Sequence, residues 1–180
     1  MIEPNAKLFI IIGLDTTTIY STYFEGEDIT VLLLEATNGE SNILDMLLAH
    51  EFTHFIRKEL LDKNIFEDSL GERLVTEGIA SNYSEEVVPN MLESDYCIVN
   101  AKTVDWVKNN MDVIRQDIKN KTNTDELISN YFYMYANLQN SNMPVRTGYV
   151  YGYLKVKEYL EKNNLKIKDI IGIDWRIIIS

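Results

Sequence analysis

Ala49-His50-Glu51-Phe52-Thr53-His54 contains both histidines of this 180-residue chain. On a helix, the spacing His-Glu-x-x-His places two imidazoles one turn apart on the same face, with a carboxylate beside them. Two neutral ring nitrogens in this arrangement can bind one Zn²⁺, and Glu51 can act on a water near the metal. The flanking residues are mostly apolar, so the histidines should be buried and need partners. The stretch predicts a metal-binding helix over about residues 42–60.

A third protein ligand must come from elsewhere, because catalytic zinc takes three protein ligands and leaves a fourth position open. Arg57 and Leu60 exclude the pattern that supplies a third histidine just after the motif. No other histidine is present, so we expect a carboxylate. The candidates are Glu59, Glu67, Asp68, Glu72 and Glu77. We favour Glu77, since the 22 residues after His54 allow the chain to turn back and Gly78 and Ala80 allow close helix packing. Glu72 is the second choice.

The composition indicates one acidic, globular domain over residues 1–180. Apolar residues make up 46% of the chain, and 28 acidic against 17 basic residues give a net charge of −11. Nucleic acid would be repelled and is not an expected partner. Cys97 is the only cysteine, which excludes an intramolecular disulfide and a cysteine-based zinc site.

The sequence contains no signal for secretion or membrane insertion. The N-terminus has no basic segment leading into an apolar stretch, so no signal peptide is predicted. We therefore expect a cytoplasmic protein, or a secreted one if the chain is a processed form. No apolar run approaches the roughly 18 residues of a membrane span.

Three β-rich segments precede the motif helix. Residues 7–13 form a continuous apolar run typical of a buried strand, residues 16–24 alternate in part, and residues 29–35 form a third strand. They predict a small mixed or antiparallel sheet within about residues 7–35. With the helices that follow, the fold class is predicted to be α+β.

Helical patterns dominate the rest of the chain. Residues 70–84 show helical apolar spacing, and residues 100–119 form an amphipathic pattern with apolar steps of three and four. Thr124 is predicted to cap a further helix. Residues 154–160 read as another helix within a helical C-terminal part over about residues 100–180. The aromatic cluster at residues 131–135 is expected to pack in a core or line a cleft.

Three motifs occur in order. They are His50-Glu51-x-x-His54, Glu77-Gly78-Ile79-Ala80 and Gly148-Tyr149-Val150-Tyr151-Gly152-Tyr153. The first two resemble the gluzincins, the thermolysin-like zinc peptidases with two histidine ligands and one glutamate ligand. All three more closely resemble an uncharacterised bacterial group of predicted zinc-dependent proteases, over roughly residues 28–160. The resemblance implies a zincin-like fold that hydrolyses a peptide or protein substrate.

The motifs give each site residue an expected role. Zn²⁺ would be held by His50, His54 and Glu77, and Glu51 would act as the general base. Tyr149 is predicted to stabilise the oxyanion. Other candidates for that role are Arg146, Tyr151 and Tyr153.

The resemblance also carries one departure and one further expectation. Ser81 stands where thermolysin-like enzymes have an aspartate that orients a zinc-bound histidine. Ser81 or Glu85 could take over that role. In addition, the third strand, at residues 29–35, is expected to offer its edge to an extended substrate.

Two other function classes remain open at this level. One is a catalytically inactive zinc-binding or regulatory module on the same fold. The other is an interaction domain that binds no metal. The presence of Glu51 argues against the first, because a structural zinc site needs no general base. The ordered second and third motifs argue against the other.

Overall fold

The computed structural model describes residues 7–12, 18–34, 41–62, 69–133 and 142–179. Within these ranges a small N-terminal sheet is followed by a mostly helical remainder, which confirms the predicted α+β class. The strands are β1 (Lys7–Ile12), β2 (Thr18–Phe24) and β3 (Glu27–Leu34). The helices are α1 (Ser41–Leu61), α2 (Leu70–Val87), α3 (Glu93–Tyr96), α4 (Ala101–Asn109), α5 (Met111–Ile118), α6 (Ile128–Phe132), α7 (Thr147–Asn163), α8 (Ile167–Ile170) and α9 (Trp175–Ile178).

β3 is the central strand of the sheet. It pairs with β1 in parallel and with β2 antiparallel, so the sheet is mixed. The β2–β3 hairpin turns at Glu25 and Gly26, which have φ values of 51° and 88°. A two-residue turn with positive φ at both residues has a twist that matches the right-handed twist of the flanking strands. The prediction that the third strand offers a free edge is wrong, because β3 is hydrogen-bonded on both sides.

β1 is exposed, whereas the sequence predicted a buried strand. All six of its residues are exposed, and Ile12 reaches 69%. A continuous apolar run is typical of a strand covered on both faces. β1 instead lies at the outside of the sheet, and the core clusters of the described residues do not include it. The prediction from apolar content alone, that β1 is buried, is therefore wrong.

α1 packs on the sheet through its N-terminal half. Met46 and Leu47 share a core cluster with Leu32 of β3. The observed bounds of α1 lie within one residue of the predicted range 42–60. Phe52 is 44% exposed, so the buried face of the helix is narrower than its apolar composition suggested.

α2 and α7 meet at a pair of glycines. A Cβ atom on Gly78 would lie 2.4 Å from the carbonyl oxygen of Gly152, and a Cβ atom on Gly152 would lie 2.1 Å from that of Leu74. The backbones therefore touch where no side chain fits. A small residue at Gly78 predicted close helix packing there, and α7 is the helix that approaches it. α2 also ends at Val87, beyond the predicted residue 84.

The single helix predicted over residues 100–119 is two helices, α4 and α5, which meet at Asn110. The Asn110 backbone departs from helical geometry, with φ −127° and ψ 20°. Its side-chain amide donates a hydrogen bond of 2.7 Å to the carbonyl oxygen of Trp106. Asparagine side chains compete in this way with helical hydrogen bonding. The apolar spacing continues across the break and so did not reveal it.

Two other predicted helix starts are wrong. Thr124 does not cap a helix, because its hydroxyl donates to the carbonyl oxygen of Lys121 within a turn. α7 begins at Thr147, well before the predicted residue 154. Gly148 and Gly152, which precede the predicted start, lie in α7 where a neighbouring group leaves no room for a Cβ atom.

The helical part is organised around two buried clusters that both draw on α2 and α7. Tyr131 and Phe132 belong to the first cluster, so the aromatic segment packs in the core as expected. Tyr133 is exposed, and residues 134 and 135 lie outside the described residues. Among the helices described, none combines the length and apolar character needed to cross a bilayer.

Candidate metal centre

His50 and His54 project from one face of α1. Their ring centroids lie 4.9 Å apart in an edge-to-face arrangement with an interplanar angle of 81°. The two residues are only 3% and 7% exposed. Helical spacing of four residues produces this proximity without help from the rest of the fold.

One carboxylate oxygen of Glu77 contacts both imidazoles. Glu77 Oε2 lies 3.1 Å from Nε2 of His50 and 3.5 Å from Nε2 of His54. Glu77 is buried near the middle of α2, and α2 packs against α1. The structure therefore brings together the three side chains that the sequence selected as candidate ligands.

The contacts of Glu77 to the two histidines have the length expected between two ligands of one zinc ion. Tetrahedral zinc with bonds of about 2.1 Å separates neighbouring ligand atoms by about 3.4 Å, which agrees with the two contacts to Glu77. The Nδ1 atoms of His50 and His54 are buried and have no hydrogen-bond partner among the described residues. Two imidazoles and one carboxylate are a donor set that catalytic zinc accepts. These residues could therefore hold the metal.

Glu51 is a second carboxylate beside the histidines. One donor atom from each of His50, Glu51 and His54 lies within 4.8 Å of the others. Glu77 contacts the same two histidines from α2, at 3.1 and 3.5 Å. Glu51 is 8% exposed. The histidine pair thus has two buried carboxylates beside it.

Glu51 also lines a cavity of about 490 Å³ between the sheet, α1 and the end of α2. Most of the other residues that line this cavity are apolar. They include Leu8, Leu48, Phe52, Phe55 and Val87. A carboxylate at the wall of an apolar cavity can act on a molecule bound there.

Burial and mutual contact set the charges of the cluster formed by His50, His54 and Glu77. Burial lowers the pKa of His54, but the nearby Glu77 carboxylate outweighs this effect, so the pKa rises above its ordinary 6.5. Burial raises the pKa of Glu77, but His54 and the hydrogen bonds from both histidines outweigh it and hold that pKa well below 4.5. Without metal, the cluster therefore favours an ionised Glu77 and a protonated His54.

Glu72, the second-choice ligand, pairs with a cation instead. Its Oε1 accepts hydrogen bonds from Arg57 Nη2 at 2.6 Å and Arg57 Nε at 3.1 Å. Thr76 also donates to this oxygen, at 3.2 Å. Of the other carboxylates considered, Glu59 is exposed, and residues 67 and 68 lie outside the described residues. Among the described candidates only Glu77 contacts both histidines.

Sequence reasoning missed two arginines near the site. Arg57 is fully buried, and its Nη1 donates to the backbone carbonyls of residues 171 and 173 at 2.7 and 3.1 Å. It therefore joins α1, α2 and the C-terminal segment. Arg73 Nη1 lies 3.8 Å from Oε1 of Glu77. Both could have been found from spacing, because Arg57 follows His54 by three residues and Arg73 precedes Glu77 by four.

Tyr149 lies close to the cluster at the start of α7. The negative charge of Glu77 and then burial raise the pKa of its hydroxyl, while Arg146 opposes the shift. The Arg146 guanidinium lies over the Tyr149 ring, 4.4 Å from its centroid. Arg146 itself has a left-handed backbone, with φ 61°, at the N-cap of α7. Tyr149 is thus a protonated hydroxyl near Glu77, flanked by a cation.

The remaining predicted site residues lie in different surroundings. Ser81 is buried one turn after Glu77, and its Oγ has no hydrogen-bond partner among the described residues. Glu85 Oε2 accepts a hydrogen bond of 2.7 Å from the Tyr153 hydroxyl, and both bind Lys157. Tyr151 lines a separate pocket. Thus Glu85 and Tyr153 serve the α2–α7 contact, and neither has a recorded contact with the histidines.

Comparison with known proteins identifies the family of this chain. A model described as "Predicted Zn-dependent protease (DUF2268)" matches residues 14–180. No curated protein and no solved structure matches the chain. The family description agrees with the predicted zinc cofactor and with the His50, Glu51 and His54 group found here. The chain therefore belongs to the DUF2268 family of predicted zinc-dependent proteases.

Proposed function

We propose that this protein is a zinc-dependent peptidase whose metal is held by His50, His54 and Glu77. The observation that carries the proposal is the single Glu77 oxygen within 3.1 and 3.5 Å of the two Nε2 atoms. The burial of all three side chains further supports it, since a metal bound there would be protected from competing water. Peptides or proteins are the substrates that the family description suggests.

The proposed chemistry divides between the metal and Glu51. Zinc, when bound, supplies a Lewis acid that polarises a carbonyl and makes water more acidic. Glu51 accepts the proton of the water that attacks the peptide carbonyl. It then returns this proton to the nitrogen of the leaving amine, so the side chain ends in its initial state. The proximity of Glu51 to both histidines supports this role.

Tyr149 is the proposed donor to the oxyanion that develops on the attacked carbonyl. Its raised pKa keeps the hydroxyl protonated, as a donor must be. Arg146, stacked on its ring, would add positive charge at the same place. Of the three tyrosines considered, Tyr149 is the one whose pKa is raised chiefly by Glu77, which supports this choice.

The proposed fold class is zincin-like, within the gluzincin pattern of two histidines and a glutamate from a following helix. Its support is the order of the elements, in which a small sheet precedes the motif helix α1 and α2 carries Glu77. Ser81 lies one turn after Glu77 on α2 and has a buried hydroxyl without a hydrogen-bond partner among the described residues. It is the residue proposed to orient a zinc-bound histidine.

The cavity lined by Glu51 is the proposed binding site for a side chain of the substrate. Its volume of about 490 Å³ and its apolar walls suit a large apolar residue next to the cleaved bond. We therefore expect faster cleavage beside leucine or phenylalanine than beside aspartate.

A Glu51→Gln variant tests the function directly. We expect bound zinc to stay at the wild-type level while hydrolysis of unfolded casein falls by about 100-fold or more, because only the proton acceptor is lost. Glu59→Gln, an exposed change on the same helix, is the matched control and should keep full activity.

The same assay separates the two zinc-binding functions. Wild-type protein that binds zinc stoichiometrically but cleaves neither casein nor a peptide library would support a catalytically inactive zinc module. Full activity in zinc-loaded Glu51→Gln would remove Glu51 from the mechanism.

A further inference from the structure

A second pocket, of about 490 Å³, lies between α5, α7 and α9. None of the proposed zinc ligands lines it, and neither does Glu51. Its cationic lining residues are Arg115 and Lys119 at the end of α5, Lys155 on α7, and Arg176 on α9. The pocket is therefore distinct from the metal centre in both position and charge.

The charged residues that line this pocket are all basic, and three of them pair with carboxylates outside its lining. Four cationic side chains line it, and none of its described lining residues is acidic. The chain as a whole carries a net charge of −11. Four of only 17 basic residues thus converge on one concave surface. Such a concentration of positive potential attracts small anions.

Three of the four cations are ion-paired, and Lys155 pairs with Glu158, with side chains that are 18% and 62% exposed. Arg115 pairs with Asp112 at 3.1 Å, with side chains that are 60% and 87% exposed. Arg176 pairs with Asp174 at 3.0 Å, with exposures of 59% and 44%. Exposed pairs of this kind contribute at most about 1 kcal/mol, so an anion in the pocket can compete for both guanidinium groups.

The floor of the pocket is fixed in place. Trp175 is buried against Gly71 of α2, where a Cβ atom would lie 2.4 Å from the indole ring. The Arg176 guanidinium stacks over that indole, 4.8 Å from its centroid. Tyr151 completes the floor from α7 and is also buried. A rigid floor that orients a guanidinium lowers the entropy cost of binding.

We propose that this pocket binds a small polyanion, a molecule with two or more phosphate or carboxylate groups. Four cations from three parts of the chain can contact more than one anionic group, and the volume is in the range of small-molecule sites. A competing explanation is that Arg115 and Lys119 only offset the partial negative charge at the C-terminus of α5. That explanation requires no contribution from Arg176, which lies on a different helix.

Calorimetric titration of the full chain tests the proposal. The probes are fructose 1,6-bisphosphate and succinate, which separate phosphate from carboxylate recognition. The proteins are the wild type, the double variant Arg115→Gln/Arg176→Gln, and Lys102→Gln, which changes an exposed lysine outside the pocket. A His50→Ala variant is titrated in parallel to exclude binding of the probe at the metal centre.

We expect at least one probe to bind the wild type, Lys102→Gln and His50→Ala with equal affinity. The double variant should bind it at least about tenfold more weakly, because two charge-assisted contacts are lost. Equal affinity of the wild type and the double variant would overturn the proposal. So would the absence of binding by both probes at concentrations on the order of 10 mM, or loss of binding in His50→Ala.

Discussion

Arg57 of α1 and Glu72 of α2 form a buried ion pair, with Arg57 Nη2 2.6 Å from Glu72 Oε1. The pair lies beside the candidate metal centre, because Arg57 follows His54 by three residues and Glu72 precedes Glu77 by five. It therefore fixes the register of the two helices that supply the proposed ligands. The pair gives the first prediction.

Replacing Arg57 by methionine should destabilise the protein by about 3–5 kcal/mol, because the Glu72 carboxylate would be left buried without its cation. Urea unfolding measures the loss. Arg115→Met, which breaks the exposed pair with Asp112, is the control and should cost at most about 1 kcal/mol. The double variant Arg57→Met/Glu72→Met should be more stable than Arg57→Met alone. Similar losses for Arg57→Met and Arg115→Met would contradict a structural role for the buried pair.

Glu77→Ala should weaken zinc binding by more than about 100-fold, since even residues that only support a ligand contribute 10–100-fold. Competition with a zinc-binding dye gives the affinity. Glu72→Ala serves as the comparison. It should reduce stability through Arg57, yet the protein that remains folded should still bind zinc. Wild-type zinc affinity in Glu77→Ala would reject Glu77 as a ligand.

The contact between His54 and Glu77 should make the stability of the metal-free protein depend on pH. The pKa of Glu77 is lowered from 4.5, so its contribution is complete above pH 4.5 and is lost as the pH falls through the lowered value. The pKa of His54 is raised from 6.5, so its contribution is complete below pH 6.5 and is lost as the pH rises through the raised value. The pair should therefore stabilise most between pH 4.5 and 6.5.

Urea midpoints of chelator-treated protein across the pH range provide the measurement. In Glu77→Gln the part of the profile due to this pair should disappear, because the amide carries no charge to interact with His54. An unchanged profile in Glu77→Gln would show that other groups determine the pH dependence.

Gly152→Ala should destabilise the protein by at least about 1–3 kcal/mol, because its Cβ atom would lie 2.1 Å from the Leu74 carbonyl oxygen and force α2 and α7 apart. Gly172→Ala is the control. Its Cβ atom would meet Leu60 at 3.4 Å, an ordinary contact, so its effect should stay within about 0.5 kcal/mol. Thermal unfolding compares the two variants, and equal melting temperatures would contradict the glycine contact.

The parts of the site that sequence could predict depend on local geometry. Helical spacing alone brings His50 and His54 together, and it requires no knowledge of the fold. Glu77 was a choice among several carboxylates, and the structure places it against both histidines. Its selection used Gly78 as a sign of close packing, although Gly78 packs against α7. Glu77 therefore lies beside both histidines, but Gly78 does not make the close contact with α1 that the prediction assumed.

The parts that sequence could not predict depend on contacts between distant segments. β3 lies at the centre of the sheet because it pairs with both earlier strands, β1 and β2, which apolar content does not encode. The break at Asn110 depends on one side-chain hydrogen bond within an unbroken apolar pattern. The predicted helix began only at Leu154, but α7 already includes Gly148 and Gly152, which are small to fit neighbouring groups.

The backbone contact between Gly78 and Gly152 has a consequence for how this protein can change over evolution. The separation of α2 and α7 is set by main-chain atoms, so it does not depend on the rotamers of the apolar residues nearby. Core substitutions on either side can then accumulate without shifting Tyr149 relative to Glu77. Divergent sequences can therefore keep the same site geometry as long as both glycines persist.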